Sequence, residues 1–183
     1  MPDFAYMIDE QWVKDNSPID DNVDTKLLRN AMRTAQDIYI RDLIGSGIYD
    51  EILTQINASN LSANNTTLIT NYIAPCLLHY IIVEASVPMT FKFMNKSIST
   101  RNSDNSNPVD LDQLTKLATH YKDKAEYYGN RLTAYLLENS STYPLFLNAG
   151  SGQDVINPSR TQFFSGFFFD DGGDCRDYEE PKD

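Results

Sequence analysis

Four side chains of types that serve in catalysis or metal binding stand within the predicted helices at positions that merit a test for chemistry: Cys76, His79, Glu84 and His120. Cys76 and His79 are three residues apart, so on a helix a thiol and a general base would be neighbours. Glu84 lies in an apolar run, where burial could raise its pKa and make it a general acid. These patterns allow nucleophilic, acid–base or metal-assisted chemistry.

Each kind of chemistry lacks a component that it needs. A nucleophilic pair also needs an orienting group and an oxyanion hole, and the sequence indicates neither. The two histidines are about forty residues apart, and no Cys-x-x-Cys or His-Glu-x-x-His motif accompanies them. We therefore expect no enzyme activity, no cofactor and no metal. We expect Glu84 to pair with a lysine or arginine, or to face a subunit boundary.

Charge is concentrated at the two ends of the chain. The formal net charge is −11; residues 1–24 carry seven acids and one base, and residues 163–183 carry seven acids and two bases, so residues 25–162 are neutral. Proteins hold duplex DNA through lysine and arginine at its phosphates. The charge balance therefore argues against tight DNA binding, but it allows DNA to pass nearby without specific binding.

Cysteine usage and hydropathy indicate a reduced protein made in the cytoplasm. Cys76 lies in an apolar run and Cys175 in the acidic tail, so a disulfide framework is not expected. The N-terminus lacks the apolar core of a signal peptide. The apolar run from Ile73 to Val87 is too short and too polar to span a membrane, so we expect no membrane partner.

The strongest structural pattern runs from Asn107 to Asn139 and predicts one long helix. Asn107 suits an N-cap, and Pro108 suits the first helical position. Apolar or aromatic residues then recur at alternating spacings of three and four, which is typical of a heptad seam. Such a seam must be buried against other helices or other copies of the chain. Its positions are Leu111, Leu114, Ala118, Tyr121, Ala125, Tyr128, Leu132 and Tyr135.

Three further helices are predicted before the seam. The first runs from about Val23 to Leu43 with a cap at Asp21 or Asn22. Gly45-Ser46-Gly47 ends it, because glycine readily adopts the left-handed conformation at a helix C-terminus. No Lys-Ser/Thr follows these glycines, so they are not a phosphate-binding loop. A short second helix follows, and a nearly all-apolar third one starts near Thr66. We expect Pro75 to kink or divide the third helix and Pro88 to end it. The first helix has one apolar face: Leu27, Leu28, Ala31, Ala35, Ile38, Tyr39 and Leu43.

The fold prediction is a mainly all-α bundle over residues 22–147, with two terminal arms. Alternating residues over 90–101 predict a small β-hairpin with contacts at Phe91, Phe93 and Lys96. Residues 1–21 predict an extended arm that packs on a neighbour or, equally, covers its own core. Residues 148–183 predict a linker and a phenylalanine-rich acidic tail.

The tail carries five phenylalanines within seven residues, which need a groove to enter. That groove could belong to this chain or to another; the linker before the tail favours docking on another subunit. The five tail residues are Phe163, Phe164, Phe167, Phe168 and Phe169.

Several segments over about residues 17–147 resemble the small helical head–tail connector (adaptor) proteins of tailed bacteriophages, especially those of crAss-like and related phages of Bacteroidetes. The resemblance is carried by patterns of sequence rather than by a catalytic signature. The segments are SPIDDNVD (17–24), LLRNAMRTAQDIYIRDLIG (27–45), VEASVP (83–88), FMNKSI (93–98), NSNP (105–108), AEYY (125–128), Arg131-Leu132, Tyr135-Leu136 and Tyr143-Pro144.

The resemblance implies a structural virion protein without enzyme activity. Such a connector forms a ring, usually of twelve copies, under the portal protein, extends the DNA channel and docks tail or collar proteins. It is synthesised in the host cytoplasm and ends at the head–tail interface of the virion. The alternative is a non-viral or regulatory helical protein-binding module with a docking tail.

Overall fold

In the computed structural model, residues 4–93, 95, 97–100, 110–150 and 154–158 are described, and their fold is mainly all-α, as predicted. The helices are α1 (Glu10–Asn16), α2 (Thr25–Ala35), α3 (Arg41–Asn57), α4 (Ala63–Leu68), α5 (Ala74–Thr90), α6 (Leu111–Glu138) and α7 (Pro144–Leu147). Strands β1 (Phe91–Phe93) and β2 (Ile98–Thr100) pair antiparallel, with Lys92 opposite Ser99. Of the predicted hairpin contacts, Phe91 is half-buried; the Phe93 side chain and Lys96 lie outside the described residues.

Two π-helical turns join neighbouring helices into longer rods. Gln36–Ile40 joins α2 to α3, and Ile69–Ile73 joins α4 to α5. A π turn inserts an extra residue, so the buried face beyond it rotates relative to an unbroken α-helix. Ile40 is fully buried, whereas Ile38 is 57% exposed. The prediction that Ile38 lies on the buried face is therefore wrong. The prediction assumed that the α-helical period continues through residues 36–40, where the first π turn lies.

Helix α2 begins at Thr25, two residues after the predicted start at Val23. Its N-cap is Asp24, whose carboxylate accepts a hydrogen bond from the N–H of Lys26 at 2.9 Å. Asp20 instead accepts from the N–H of Asn22 in the preceding turn. The predicted caps were therefore wrong, because those residues belong to the turn before the helix.

Helix α6 begins at Leu111, where the carboxylate of Asp110 accepts from the backbone N–H at 2.7 Å. The predicted start with Asn107 as the cap and Pro108 as the first helical position is wrong, because Asp110 has an extended backbone and is the N-cap; residues 107 and 108 lie outside the described residues. Pro88 lies inside α5, which continues to Thr90. The predicted stop at Pro88 is wrong because a proline near a helix end removes one hydrogen bond without blocking the last turn.

Helices α5 and α6 pack antiparallel at the centre of the bundle, with α2 also packed on α5. The rod from Ala63 to Thr90 has the length and apolar composition of a membrane span. A buried core helix passes the same test, and just over half of the apolar window is buried inside the bundle. The described rod is longer than the predicted apolar run, because α4 and the second π turn extend it.

The N-terminal segment packs on the core of its own chain. Val13 of α1 is fully buried. The buried Gln36 side chain accepts a hydrogen bond from the N–H of Met7 at 2.9 Å and donates one to the carbonyl of Ala5 at 3.0 Å. The described part of residues 1–21 therefore covers its own core, and the extended-arm alternative is wrong for it.

Part of the predicted linker also packs on the bundle, at a kink in α3. Gly45 adopts φ +76° and ψ 157°, which interrupts the helix as predicted, although the helix resumes directly afterwards. Ser46 then binds the returning chain: its N–H donates to the carbonyl of Ile156 at 3.0 Å, and its hydroxyl accepts from the N–H of Ile156 at 3.1 Å. Asp154 pairs with Arg41 at 3.0 Å. Residues 154–158 thus belong to the bundle, because Gly45 leaves room for them, and the tail lies outside the described residues.

Candidate docking surface

Cys76 and His79 are neighbours in sequence but do not form a catalytic pair. Cys76 is fully buried, and its thiol donates to the carbonyl of Ala125 at 3.5 Å. Burial raises the pKa of the Cys76 thiol to about 12. Nδ1 of His79 lies 2.7 Å from the carbonyl oxygen of Pro75. Each side chain is therefore engaged with backbone, and the thiol is held protonated.

We predict that Cys76 resists alkylation while the protein is folded. At pH 8 a thiol with a pKa of about 12 is ionised in roughly one molecule in ten thousand, and the thiolate is the reactive form. Iodoacetamide followed by peptide mass spectrometry should leave Cys76 unmodified in buffer and label it in guanidinium chloride. Rapid labelling of Cys76 in buffer would show that it is accessible and reactive.

Glu84 is paired with a tyrosine rather than with the predicted lysine or arginine. The hydroxyl of Tyr39 donates to Oε1 of Glu84 at 2.7 Å, and the Tyr39 ring stacks on Tyr80 with centroids 4.1 Å apart. Burial, followed by this hydrogen bond to the carboxylate, raises the pKa of Tyr39 to about 12. The pair links the first π turn to α5 and gives Glu84 a structural role. The sequence did not indicate that Tyr39 is the partner of Glu84, because forty-five residues separate the two.

His79 and His120 border one surface depression of about 420 Å³, together with Asp123, Lys124 and Tyr127. In the part of the chain that the structure describes, no three histidine, cysteine, aspartate or glutamate side chains are grouped to hold a metal ion. The depression is instead lined by aromatic rings and charged side chains.

The predicted seam divides into three groups. Leu114, Ala125 and Leu132 are buried, and Leu111 is 65% exposed. The half-buried positions are Ala118, Tyr121, Tyr128 and Tyr135. Sequence analysis missed Gly129, Thr133 and Leu136, which are also buried. The difference arises because a straight α-helix drifts about 20° per heptad from a 3.5-residue repeat, so the buried stripe leaves the predicted positions.

The half-buried tyrosines of α6 stack on rings from the rod that contains α5. Tyr135 stacks on Tyr72 with ring centroids 3.9 Å apart. The ring centroid of His79 lies 5.2 Å from that of Tyr128 and 6.1 Å from that of Tyr121. We call these five residues the aromatic edge. The members are seven residues apart within each helix, so successive rings follow one side of the helix pair.

Two cations lie over the aromatic edge. Nζ of Lys124 is 5.1 Å from the centroid of Tyr121, and the guanidinium carbon of Arg131 is 5.0 Å from that of Tyr72. Both side chains are exposed. They are also seven residues apart, and a cation over a tyrosine ring is held in position by the ring's negative face. The edge therefore presents ordered positive charges above an aromatic surface.

An apolar groove of about 400 Å³ continues from the aromatic edge at Tyr121. One wall is Leu114 and Leu117 of α6, and Leu117 is 46% exposed. The groove contains no lysine or arginine, although Asp20 stands at its rim. Its other apolar lining residues are Pro18, Ile19, Val23, Ile82, Ala85 and Met89.

Together the groove and the edge have the chemistry of a protein-docking surface. Tyrosine and arginine are enriched among residues that dominate binding energy, and apolar pockets accept anchoring side chains. Sequence analysis placed the α6 tyrosines in the seam but missed Tyr72, Lys124 and Arg131. The repeat of seven shared by Tyr72 with His79 and by Lys124 with Arg131 was the signal that could have found them.

Comparison with known proteins gives one family match. A model described as a family of unknown function, DUF6712, matches residues 40–156. The match ends at Ile156, the residue that pairs with Ser46, so it includes the packed C-terminal segment. No curated protein and no solved structure matches the chain.

Proposed function

Since the chain belongs to the DUF6712 family, whose function is unknown, we propose a function from its resemblance to the connectors of tailed bacteriophages and from its surface: it is a structural virion protein, a head–tail connector or adaptor. In this proposal copies of the chain form a ring under the portal protein, extend the DNA channel and dock tail or collar proteins. The number of copies is twelve, as in the connectors that the sequence resembles. The genome passes through the ring without specific binding.

One observation carries the proposal: Cys76 and Glu84 are bonded within the chain, while an apolar groove and the aromatic edge are accessible. Cys76 is bonded to the α6 backbone, and Glu84 is bonded to Tyr39. The apolar groove and the aromatic edge are exposed on one side of the helix pair. An accessible surface of apolar and aromatic groups is suited to contacts between proteins.

A ring makes a specific demand on its subunit. In a closed ring each contact is head-to-tail, so a surface on one copy must match a different surface on the next. The apolar groove and the aromatic edge provide one such surface. The acidic N- and C-terminal segments disfavour tight binding of DNA, because they repel its phosphates.

Sedimentation velocity of the full-length chain over a range of concentrations tests this function. We expect either one discrete assembly of about 250 kDa from the chain alone, twelve copies of the 20.8 kDa chain, or a gain of about 250 kDa by the portal protein of the same genome when this chain is added. A separate titration should show no salt-sensitive affinity for duplex DNA. A chain that stays monomeric at all concentrations, with and without portal protein, would contradict the proposal and favour a regulatory binding module.

A further inference from the structure

We propose that the apolar groove and the aromatic edge bind the C-terminal tail, residues 163–183, of a second copy of this chain. The inference rests on the proposed function, since it supplies the contact between neighbouring copies of the ring. Three observations support this occupant: the chemical complementarity of tail and surface, the matching order of apolar and charged groups along both, and the position at which the described chain ends.

The tail and the surface are complementary in both hydrophobicity and charge. The tail has five phenylalanines at positions 163–169 and then seven acids against two bases. The groove is apolar, and its volume of about 400 Å³ lies in the range of sites that bury small apolar groups. Lys124 and Arg131 stand beyond it, exposed and held over rings. Phenylalanine side chains fit the groove, and carboxylates fit the two cations.

The order of these features along the surface matches their order along the tail. From Leu117 in the groove, Lys124 and Arg131 follow at steps of seven residues, each about 10 Å along the helix. The acids begin at Asp170, directly after Phe169, and the stretch to Asp177 spans about 25 Å when extended. A tail anchored by its phenylalanines therefore brings its carboxylates alongside both cations.

The tail of the same copy starts on the wrong flank to make this contact. A Cβ on Gly129 would lie 3.2 Å from Leu43 of α3, so α3 covers the Gly129 side of α6. The neighbouring Tyr128 points about 100° away, towards the aromatic edge. The described chain ends at Pro158, packed against Gly45 of α3.

Only residues 159–162 separate Pro158 from the first tail phenylalanine, Phe163. Five residues span at most about 17 Å. Along the helix pair the groove extends from about 9 Å beyond the level of Cys76, at Ile82, to about 20 Å, at Met89, and reaching it also requires passing round α6, a helix about 10 Å across. The first two phenylalanines of the same copy therefore cannot reach the far end of the groove at Met89. Those of a neighbouring copy, approaching from the other side, can.

Photo-crosslinking of the full-length chain tests the contact directly. A photoreactive phenylalanine analogue replaces Phe168 in isotopically light copies, which are mixed with unmodified heavy copies and irradiated. We expect light tail peptides joined to heavy peptides that contain Met89, Leu117 or Tyr121. Cross-links confined to light chains would assign the groove to the same copy's tail. Cross-links to heavy peptides elsewhere, or to portal protein alone, would equally overturn the inference.

Charge reversal tests the second half of the surface with a matched control. Lys124→Glu combined with Arg131→Glu should lower the yield of cross-links between copies about five- to thirtyfold, because two charge pairs of about 0.5–1 kcal/mol each are lost. Lys122→Glu reverses a charge on the same helix, about 160° round from Lys124, and should change the yield less than twofold. Equal effects of the two variants would overturn the proposed role of the cations.

The two proposals fail separately. Cross-links at the groove between copies, with no ring at any concentration, would uphold this contact and contradict the ring. Rings that form with the tail cross-linked elsewhere would uphold the proposed function and overturn this contact.

Discussion

Leu132→Asp is expected to abolish the folded state of the chain. Leu132 is fully buried at the centre of the packing between α5 and α6. The substitution removes a buried leucine, at about 2–5 kcal/mol, and adds a carboxylate without a partner in the described core. The sum is comparable to the whole stability of a typical domain, about 5–15 kcal/mol. Far-UV circular dichroism should show loss of helicity, and thermal scans should show no cooperative transition.

Leu111→Asp is the matched control, since it makes the same change on the same helix. Leu111 is exposed and stands at the first position of α6, where a negative charge also interacts favourably with the helix dipole. We expect the free energy of unfolding of the Leu111→Asp variant to stay within about 0.5 kcal/mol of that of the parent chain. A cooperative, near-parental transition for Leu132→Asp would contradict the burial of the seam.

Gly45→Ala is expected to lower the free energy of unfolding by about 3 kcal/mol. At φ +76° and ψ 157° an alanine is strained, which costs about 1–3 kcal/mol. Its Cβ would also lie 2.7 Å from Cδ of Pro158, so the returning chain would have to move away from Ser46. Urea denaturation monitored by circular dichroism measures the change, and hydrogen exchange at the amides of Ser46 and Ile156 should rise.

Gly150→Ala separates backbone strain from the contact with Pro158. Gly150 also has a positive φ, +96°, but a Cβ there would meet no atom within 4 Å. We expect a loss of about 1 kcal/mol and no change in exchange at Ser46. Equal losses for the two alanine variants would mean that residues 154–158 contribute nothing at the kink.

The helices were predictable because their signals are local. Apolar periodicity predicts α2, α5 and α6, and Gly45 marks the kink in α3. The π turns were not predictable in this way, because no residue type marks where an extra residue enters a helix. Because the first π turn was not predicted, Ile38 was assigned to the buried face although it is exposed, and Gln36 was not recognised as buried.

Contacts between distant residues account for the other differences. Gln36 bonds to Ala5 across thirty-one positions, and Ser46 to Ile156 across one hundred and ten. Neither pairing has a sequence pattern, so the N-terminal segment and residues 154–158 read as arms although they pack on the bundle. The predicted roles of the five tail phenylalanines lie outside the described residues.

The candidate site was predictable only in part. The α6 tyrosines were singled out by their spacing, but as core residues. Their half-burial depends on how far the stripe drifts along a straight helix, which the heptad pattern does not report. The α6 tyrosines form the aromatic edge only because the packing of α5 on α6 places the rings of Tyr72 and His79 beside them.

Electron microscopy of the full-length chain with the portal protein of the same genome tests the central claim most directly. We predict a closed ring of this chain seated on one face of the portal, with an open channel along the shared axis. Portal particles that stay bare while this chain remains a dispersed monomer would contradict it.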